Sequence, residues 1–138
     1  MSDVSEAERL RRIAEDQPRF GALLGMRIVV AEPDRVEAEM VVGAEFANRN
    51  GVMHGGAIMG LADNVAGTAT FLNLKDGEGT TTLESKTNFF RAVPVGSTVR
   101  AVAEPLHRGR RTMIWQTRLF LEDGRLAALV IQTQMILT

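Results

Sequence analysis

The segment GGAIMGLADNVAGTATFLNL, residues 55–74, decides the fold of this 138-residue chain. Its residues are almost all apolar or small, and Asp63 is the one charged residue among them. A helix that is apolar on every side is typical of a buried helix, whereas a surface helix is apolar along one stripe. The segment is too short and too polar for a membrane span. It therefore predicts a central helix around which the rest of the chain folds.

Strand-like segments lie on both sides of this helix. Two precede it, at 26–30 and 36–42, and four follow it, at 80–91, 97–107, 111–122 and 125–137. Turn signals at 108–110 and 123–124 predict tight antiparallel hairpins between the last strands. This order of elements predicts an α+β domain in which an antiparallel sheet wraps around one helix.

The N-terminal residues predict two short helices. Ser5 and Glu8 have the spacing of a capping box, and Pro18 is expected to end the helix that they begin. A second helical turn, residues 20–24, runs into Gly25. The polar, acidic start of the chain resembles neither a signal peptide nor a transit peptide. We therefore divide the chain into an N-terminal helical segment, 1–25, and a main domain, 26–138.

Composition excludes several kinds of chemistry. The chain has no Cys and two His, so it has no thiol nucleophile, no Cys-type zinc site and too few ligands for a His-based metal site. The net charge of −1 gives no reason to expect nucleic acid or an anionic membrane as a partner. We therefore expect a cytoplasmic domain whose chemistry comes from carboxylates, hydroxyls, amides and the backbone.

Gly55 and Gly56 stand where the central helix begins. The first N–H groups of a helix have no partner within the helix, and its dipole favours negative charge there. A thioester or ester carbonyl placed on those N–H groups would have its developing negative charge stabilised. The alternative is that the two glycines only let the helix pack tightly on the sheet.

Asp63 is an ionisable group in an otherwise apolar helix, and it is the candidate general base or nucleophile. The alternative is a structural Asp bonded to Asn64 or to a neighbouring hydroxyl. Seven residues separate Gly56 from Asp63, which is about 10 Å along a helix. An Asp side chain cannot cover that distance. If both groups act on one bond, they come from different copies of the chain, and a two-fold dimer then carries two equivalent sites.

Other polar residues are weaker candidates. Asn48 could orient a water or a carbonyl, but Asn in a Gly-containing loop is often a turn residue. His54 could bond substrate or cap the helix, and the threonines at 80–82 could assist a water or simply form strand. Arg91, with the basic hairpin turn of Arg108 and Arg110, could hold phosphates or lie in solvent.

The motif Asn48-x5-His54-Gly55-Gly56-x6-Asp63, followed by FFRAVPVG at 89–96, resembles the hotdog-fold acyl-CoA thioesterases. It is most similar to the PaaI-like branch, named for phenylacetic acid degradation, which shares its fold with 4-hydroxybenzoyl-CoA thioesterase. The resemblance implies a hotdog fold over residues 26–138. It also implies dimers that often pair into tetramers, and hydrolysis of a coenzyme A thioester without cofactor.

The resemblance also implies roles for particular residues. Asp63 corresponds to the acid that acts from the opposite subunit, and the Gly56 N–H to the group that polarises the thioester carbonyl. Asn48, His54 and Thr82 correspond to residues that assist them. For substrate binding we expect a set of four residues: Gly55, Arg91, Arg108 and Arg110.

The sequence therefore predicts a homo-oligomeric enzyme that hydrolyses an aryl or medium-chain acyl-CoA. The alternative is a non-catalytic hotdog module that binds acyl-CoA as a sensor or carrier. The acyl group and the choice between Asp63 as nucleophile and as general base stay open.

Overall fold

The computed structural model describes residues 4–138. The helices are α1 (Glu6–Glu15), α2 (Arg19–Leu24) and α3 (Gly55–Phe71), with a short 3₁₀ turn at Ala44–Phe46. The strands are β1 (Arg27–Glu32), β2 (Arg35–Val41), β3 (Gly79–Phe89), β4 (Thr98–Arg108), β5 (Thr112–Phe120) and β6 (Leu126–Leu137). Every element that the sequence predicts within these residues is present, and the ends of each differ by a few residues at most.

The N-terminal helices begin and end where the sequence predicts. The Glu8 N–H donates to Ser5 Oγ at 3.2 Å, which caps α1. Gly25, with φ of 74°, ends α2 in the left-handed conformation. Both helices contact α3. The boundary at residue 25 between a helical segment and a separate domain stays a prediction.

The six strands form one antiparallel sheet in the order β1-β2-β4-β5-β6-β3. The strand that follows α3 in sequence therefore pairs with the last strand, at the edge of the sheet. Helix α3 lies against β2 to β6 and supplies the centre of the core, where Leu61, Val65 and Trp115 are fully buried. A sheet wrapped around one long helix is the hotdog arrangement, so the predicted fold class is confirmed.

One expectation about α3 is wrong for a single chain. The helix is not covered on every side, because the sheet can cover only the side that faces it. Met59 and Phe71 keep 39% and 52% of their surface exposed. An apolar face left open on a central helix is available to a ligand or to another chain. Within residues 4–138, no helix is long and apolar enough to cross a membrane.

A bulge in β3 decides which of its side chains face α3. Thr82 pairs with Gln134 and Glu84 with Thr133, so Leu83 is the extra residue between them. Gln134 lies buried under the helix, and residues that pair directly point to the same face of the sheet. Thr82 therefore faces α3. Among the described residues, β3 has a strand on one side only, so its other edge is unpaired.

Candidate functional site

Asp63 lies in the middle of α3 and is half-buried. Its Oδ1 accepts two hydrogen bonds, from Thr82 Oγ1 at 2.6 Å and from Gln132 Nε2 at 2.9 Å. No donor within residues 4–138 reaches Oδ2. The two donors therefore hold the carboxylate by one oxygen and leave the other available. A neighbouring hydroxyl does bond Asp63, as expected if the residue were only structural. It engages one of the two carboxylate oxygens and leaves the other without a partner in the described part of the chain.

A second amide sets the direction of these hydrogen bonds. Gln134 Nε2 donates to Thr82 Oγ1 at 2.8 Å. Gln134 Oε1 lies 3.1 Å from Thr80 Oγ1, whose single hydrogen has a second acceptor in the Met135 carbonyl at 2.8 Å. Because Gln134 Nε2 can only donate and the Asp63 carboxylate can only accept, the hydroxyl hydrogen of Thr82 goes to Asp63. Gln132 and Gln134 are 0% and 1% exposed, so the amide side of this network is shielded from solvent.

The sequence reasoning missed both glutamines. Their signal is weak but visible, since two amides two residues apart share one face of the otherwise apolar strand β6. A buried amide needs partners, and the two NH₂ groups find them in Asp63 and its neighbour Thr82, whereas Gln132 Oε1 has none within residues 4–138.

Asp63 opens into a cavity of about 820 Å³ between α1, α3 and β3. Polar groups surround the carboxylate, among them Asn64, Thr82 and Gln134. Apolar side chains line the wall toward the C-terminal end of α3, namely Ile13, Phe71, Leu72 and Leu74. A concave space of this size with a few convergent polar groups is typical of a small-molecule site.

The start of α3 presents a free N–H at Gly55. His54 is the N-cap residue, and its Nδ1 accepts from the Gly56 N–H at 2.8 Å. The next two N–H groups of the helix donate to the His54 carbonyl. Within the described chain the Gly55 N–H has no acceptor. The predicted donor, the Gly56 N–H, is therefore already engaged by the cap, and Gly55 carries the open position.

Asn48 closes the turn before α3. Its Oδ1 accepts from the N–H groups of Asn50, at 2.9 Å, and Val52, at 3.3 Å. The side-chain oxygen of Asn48 therefore acts as a turn residue does, by closing the loop. The Nδ2 group of Asn48 has no acceptor within residues 4–138, and the side chain lines a second cavity of about 350 Å³ beside Gly55 and Phe89.

The two cavities have no lining residue in common. The free N–H of Gly55 belongs to the smaller cavity and the carboxylate of Asp63 to the larger one, although both residues lie on α3. One chain therefore presents two separate halves of the candidate site.

The three arginines expected to hold phosphates do not meet within one chain. Arg91 lines the smaller cavity near Gly55 and donates to the Leu126 carbonyl at 2.7 Å. Arg108 donates to Asn73 Oδ1 at 3.3 Å, beyond the other end of α3. The 17 residues of that helix span about 25 Å, and Arg110 lies exposed in the β4–β5 turn. The three arginines therefore form no single basic cluster within a chain, and their role in substrate binding stays a prediction.

Comparison with known proteins places the chain in a family. Residues 50–128 match the family described as the thioesterase superfamily. The proofreading thioesterase EntH of Cronobacter turicensis is 34% identical over 102 residues, which are 74% of each chain. The EntH of Cronobacter sakazakii is 36% identical over 92 residues, 67% of this chain and 66% of that protein.

Solved structures agree with this fold. A mutant of the thioesterase PA1618 from Pseudomonas aeruginosa superposes with a TM-score of 0.83 at 27% identity, covering 98% of this chain and 96% of that one. The E. coli PaaI protein, from the phenylacetic acid degradation operon, superposes with a TM-score of 0.87 over 96% and 94% of the two chains. At 20% identity that likeness bears on the fold alone. The chain belongs to the thioesterase superfamily and is a hotdog-fold, PaaI-like thioester hydrolase.

Proposed function

We propose that the chain hydrolyses an aryl or medium-chain acyl-CoA in the cytoplasm, without a cofactor, and that Asp63 is its catalytic carboxylate, acting as general base or nucleophile. The observation that carries the proposal is how the Asp63 carboxylate is hydrogen-bonded. Oδ1 is held by Thr82 and Gln132, and Oδ2 is left without a donor at the wall of an 820 Å³ cavity. A carboxylate fixed by one oxygen is oriented to use the other.

In the proposed reaction, Asp63 Oδ2 takes a proton from water while that water attacks the thioester carbon. The new C–O bond forms, the C–S bond breaks, and the proton passes to the leaving CoA thiolate. Direct attack by Oδ2, followed by hydrolysis of the anhydride, fits the same geometry. Since the hydrogen of Thr82 is committed to Asp63, Thr82 can serve the water only by accepting from it.

The start of α3 supplies the other half of the reaction. We assign the carbonyl oxygen to the Gly55 N–H, because this group is free and lies in the positive field of the helix end. The Gly56 N–H can join it when the His54 ring turns away. The free Nδ2 of Asn48, in the same cavity, is a further donor for that oxygen.

The two halves of the site can meet in a two-fold dimer. The proposed interface is the unpaired edge of β3, which is where a second sheet can add. At one end of β3, Thr82 touches Asp63, and at the other end the Phe89 ring lies 3.2 Å from the position of a Cβ at Gly55. Antiparallel pairing of two β3 strands brings the first end of one chain toward the second end of its partner.

Charge favours one register of that pairing. Glu84 and Lys86 are exposed on the face of β3 away from α3. With Ser85 on the two-fold axis, each Glu84 lies opposite a Lys86 of the partner, which makes two favourable pairs. A shift by one pair in either direction places like charges opposite each other, Glu84 on Glu84 or Lys86 on Lys86. A further pairing of dimers into a tetramer stays a prediction.

The proposed function is tested by thiol release from a panel of acyl-CoA esters. The purified chain should turn over at least one aryl or medium-chain ester, and Asp63→Asn should lower kcat by about 10²-fold or more, as expected for a general base. Asp34→Asn, the same change in an exposed turn, is the matched control. Wild-type rates in Asp63→Asn would remove Asp63 from the mechanism. Binding without turnover across the panel would instead favour the acyl-CoA-binding alternative.

A further inference from the structure

Gly67 is a glycine inside α3 that no contact within the chain explains. A glycine in a helix interior is less favourable than an alanine. At Gly60 the reason is steric, since a Cβ there would lie 2.9 Å from the Phe20 ring. At Gly67, leaving aside its two chain neighbours and the backbone of the helix, no atom of residues 4–138 lies within 4 Å of the position of a Cβ. The helix therefore keeps a space beside Gly67 that its own core does not fill.

That space belongs to the cavity of Asp63. Gly67 lines the cavity and follows Asp63 by four residues, so the two lie on one face of α3, about 6 Å apart along the axis. Phe71, four residues further on, lines the same cavity. A side chain at position 67 would stand between the carboxylate and the apolar wall beyond it.

We propose that the absence of a side chain at Gly67 determines which acyl groups the enzyme accepts. This inference rests on the proposed function and adds the size of its substrate. A thioester whose carbonyl lies at Asp63 sends its acyl group along α3, past Gly67, toward Phe71 and Leu72. An octanoyl or phenylacetyl group needs the space beside Gly67. An acetyl group ends before it.

The apolar part of this cavity fits an acyl group. Beyond Gly67 the wall includes the apolar side chains of Ile13, Phe71, Leu72 and Leu74, while Arg9 and Asp76 also line the cavity. Asn64, Thr82 and Gln134 lie around Asp63, at the reacting end. In this proposal the CoA portion leaves from the carboxylate end, and Gly67 lies on the acyl side.

The experiment compares Gly67→Ala and Gly67→Leu with the wild type on acetyl-CoA, butanoyl-CoA, octanoyl-CoA and phenylacetyl-CoA. A methylene that does not fit a pocket changes kcat/KM by about 10- to 200-fold. We therefore expect Gly67→Leu to lower the octanoyl-to-acetyl ratio of kcat/KM by about 100-fold or more, with Gly67→Ala in between. Because alanine favours the helix and meets no atom, Gly67→Ala should also raise Tm by about 3 °C.

Gly60→Ala on the same helix is the matched control. Its Cβ would meet the half-exposed Phe20 ring and does not face the cavity of Asp63, so the octanoyl-to-acetyl ratio should be unchanged. An equal loss on all four esters in Gly67→Leu would overturn the inference, as would a fall in Tm in Gly67→Ala. Dissociation of the dimer in Gly67→Leu would also overturn it, since the space would then belong to the second copy of the chain.

The same panel separates this inference from the proposed function. If the wild type hydrolyses none of the esters, the proposed function fails on that result alone. Calorimetry then still tests whether the space beside Gly67 holds the acyl group. It compares the binding of octanoyl-CoA and acetyl-CoA to Asp63→Asn and to the double variant Asp63→Asn, Gly67→Leu. The inference predicts loss of octanoyl-CoA binding with acetyl-CoA binding retained, and equal binding in both variants would overturn it.

Discussion

The imidazole of His54 caps the helix that begins beside it, with Nδ1 accepting from the Gly56 N–H at 2.8 Å. A ring nitrogen that accepts carries no hydrogen, so in this arrangement the hydrogen of the neutral ring is on Nε2. The cap explains why the free N–H is that of Gly55. The cap also favours a structural role for His54 at the helix end.

The first prediction follows from this cap. His54→Ala should lower the free energy of unfolding by about 1 kcal/mol, the usual cost of losing an N-cap side chain. It should lower kcat by less than about tenfold, whereas a general base contributes about 10²- to 10⁴-fold. Urea unfolding and thiol release measure the two effects, with His107→Ala, at the exposed histidine of β4, as the control. A 10³-fold loss of kcat would show that the ring acts in the chemistry.

The second prediction concerns the hydroxyl beneath Asp63. Thr82→Val removes one donor from Asp63 Oδ1 and leaves Gln134 Nε2 buried without its acceptor. Each unsatisfied buried group costs about 1–3 kcal/mol, so we expect a loss of stability of that order and a fall in kcat of about tenfold or more. Thr82→Ser keeps the hydroxyl and should retain most of both. Wild-type behaviour of Thr82→Val together with losses in Thr82→Ser would show that the methyl group, not the hydroxyl, matters at this position.

The third prediction concerns Gln132, which acts through Asp63. Gln132→Met keeps the volume of the side chain but removes the donor to Asp63 Oδ1, so kcat should fall while KM stays near its wild-type value. The control is Gln116→Met, the same change at a half-buried position of β5 on the face of the sheet away from α3.

A double-mutant cycle separates a positioning role from a packing role. In an Asp63→Ala background, the residual rate should be the same with Gln132 or with Met at that position, because the carboxylate that Gln132 orients is gone. If Gln132→Met lowers the residual rate by the same factor as in the wild type, its role is structural.

The fourth prediction tests the shared site. Asp63→Ala chains and Gly55→Val chains should each be inactive, since a Cβ at Gly55 crowds the Phe89 ring and blocks the free N–H. When the two variants are mixed in equal amounts and allowed to exchange, half of the dimers contain one chain of each kind. Each of these dimers has one intact site of two, formed by Asp63 of one chain and Gly55 of the other. About a quarter of the wild-type rate should return. Exchange shown by native mass spectrometry with no return of activity would place both groups in the same chain's site.

The fifth prediction tests the register of the proposed β3 interface. Glu84→Lys or Lys86→Glu alone makes two like-charge pairs and should weaken dimerisation by about tenfold or more. The double exchange restores opposite charges and should recover the wild-type dissociation constant, measured by sedimentation. Glu32→Lys, an exposed change at the end of β1, controls for net charge. Failure of the double exchange to recover the dimer would exclude Ser85 as the residue on the axis.

The sequence by itself determined the local elements and the most conspicuous group of the site. An apolar segment with a single charge predicts a central helix that carries Asp63, because burial of a charge needs a partner or a use. Alternating residues between Gly-containing turns predict the strands of the sheet, since the pleat alternates its side chains between two faces.

Only the tertiary structure decided what surrounds Asp63. Thr82 faces the carboxylate because the bulge at Leu83 sets the register of β3 on β6, and Gln132 reaches it from a strand 69 residues away in sequence. Strand order and register depend on pairing between distant segments, which leaves no periodic signal in the sequence of either one. Likewise, the engagement of Gly56 depends on how the His54 ring turns, and the space at Gly67 depends on packing around α3. A sequence pattern reports which side chains a segment buries, whereas the partners they meet are set by the whole fold.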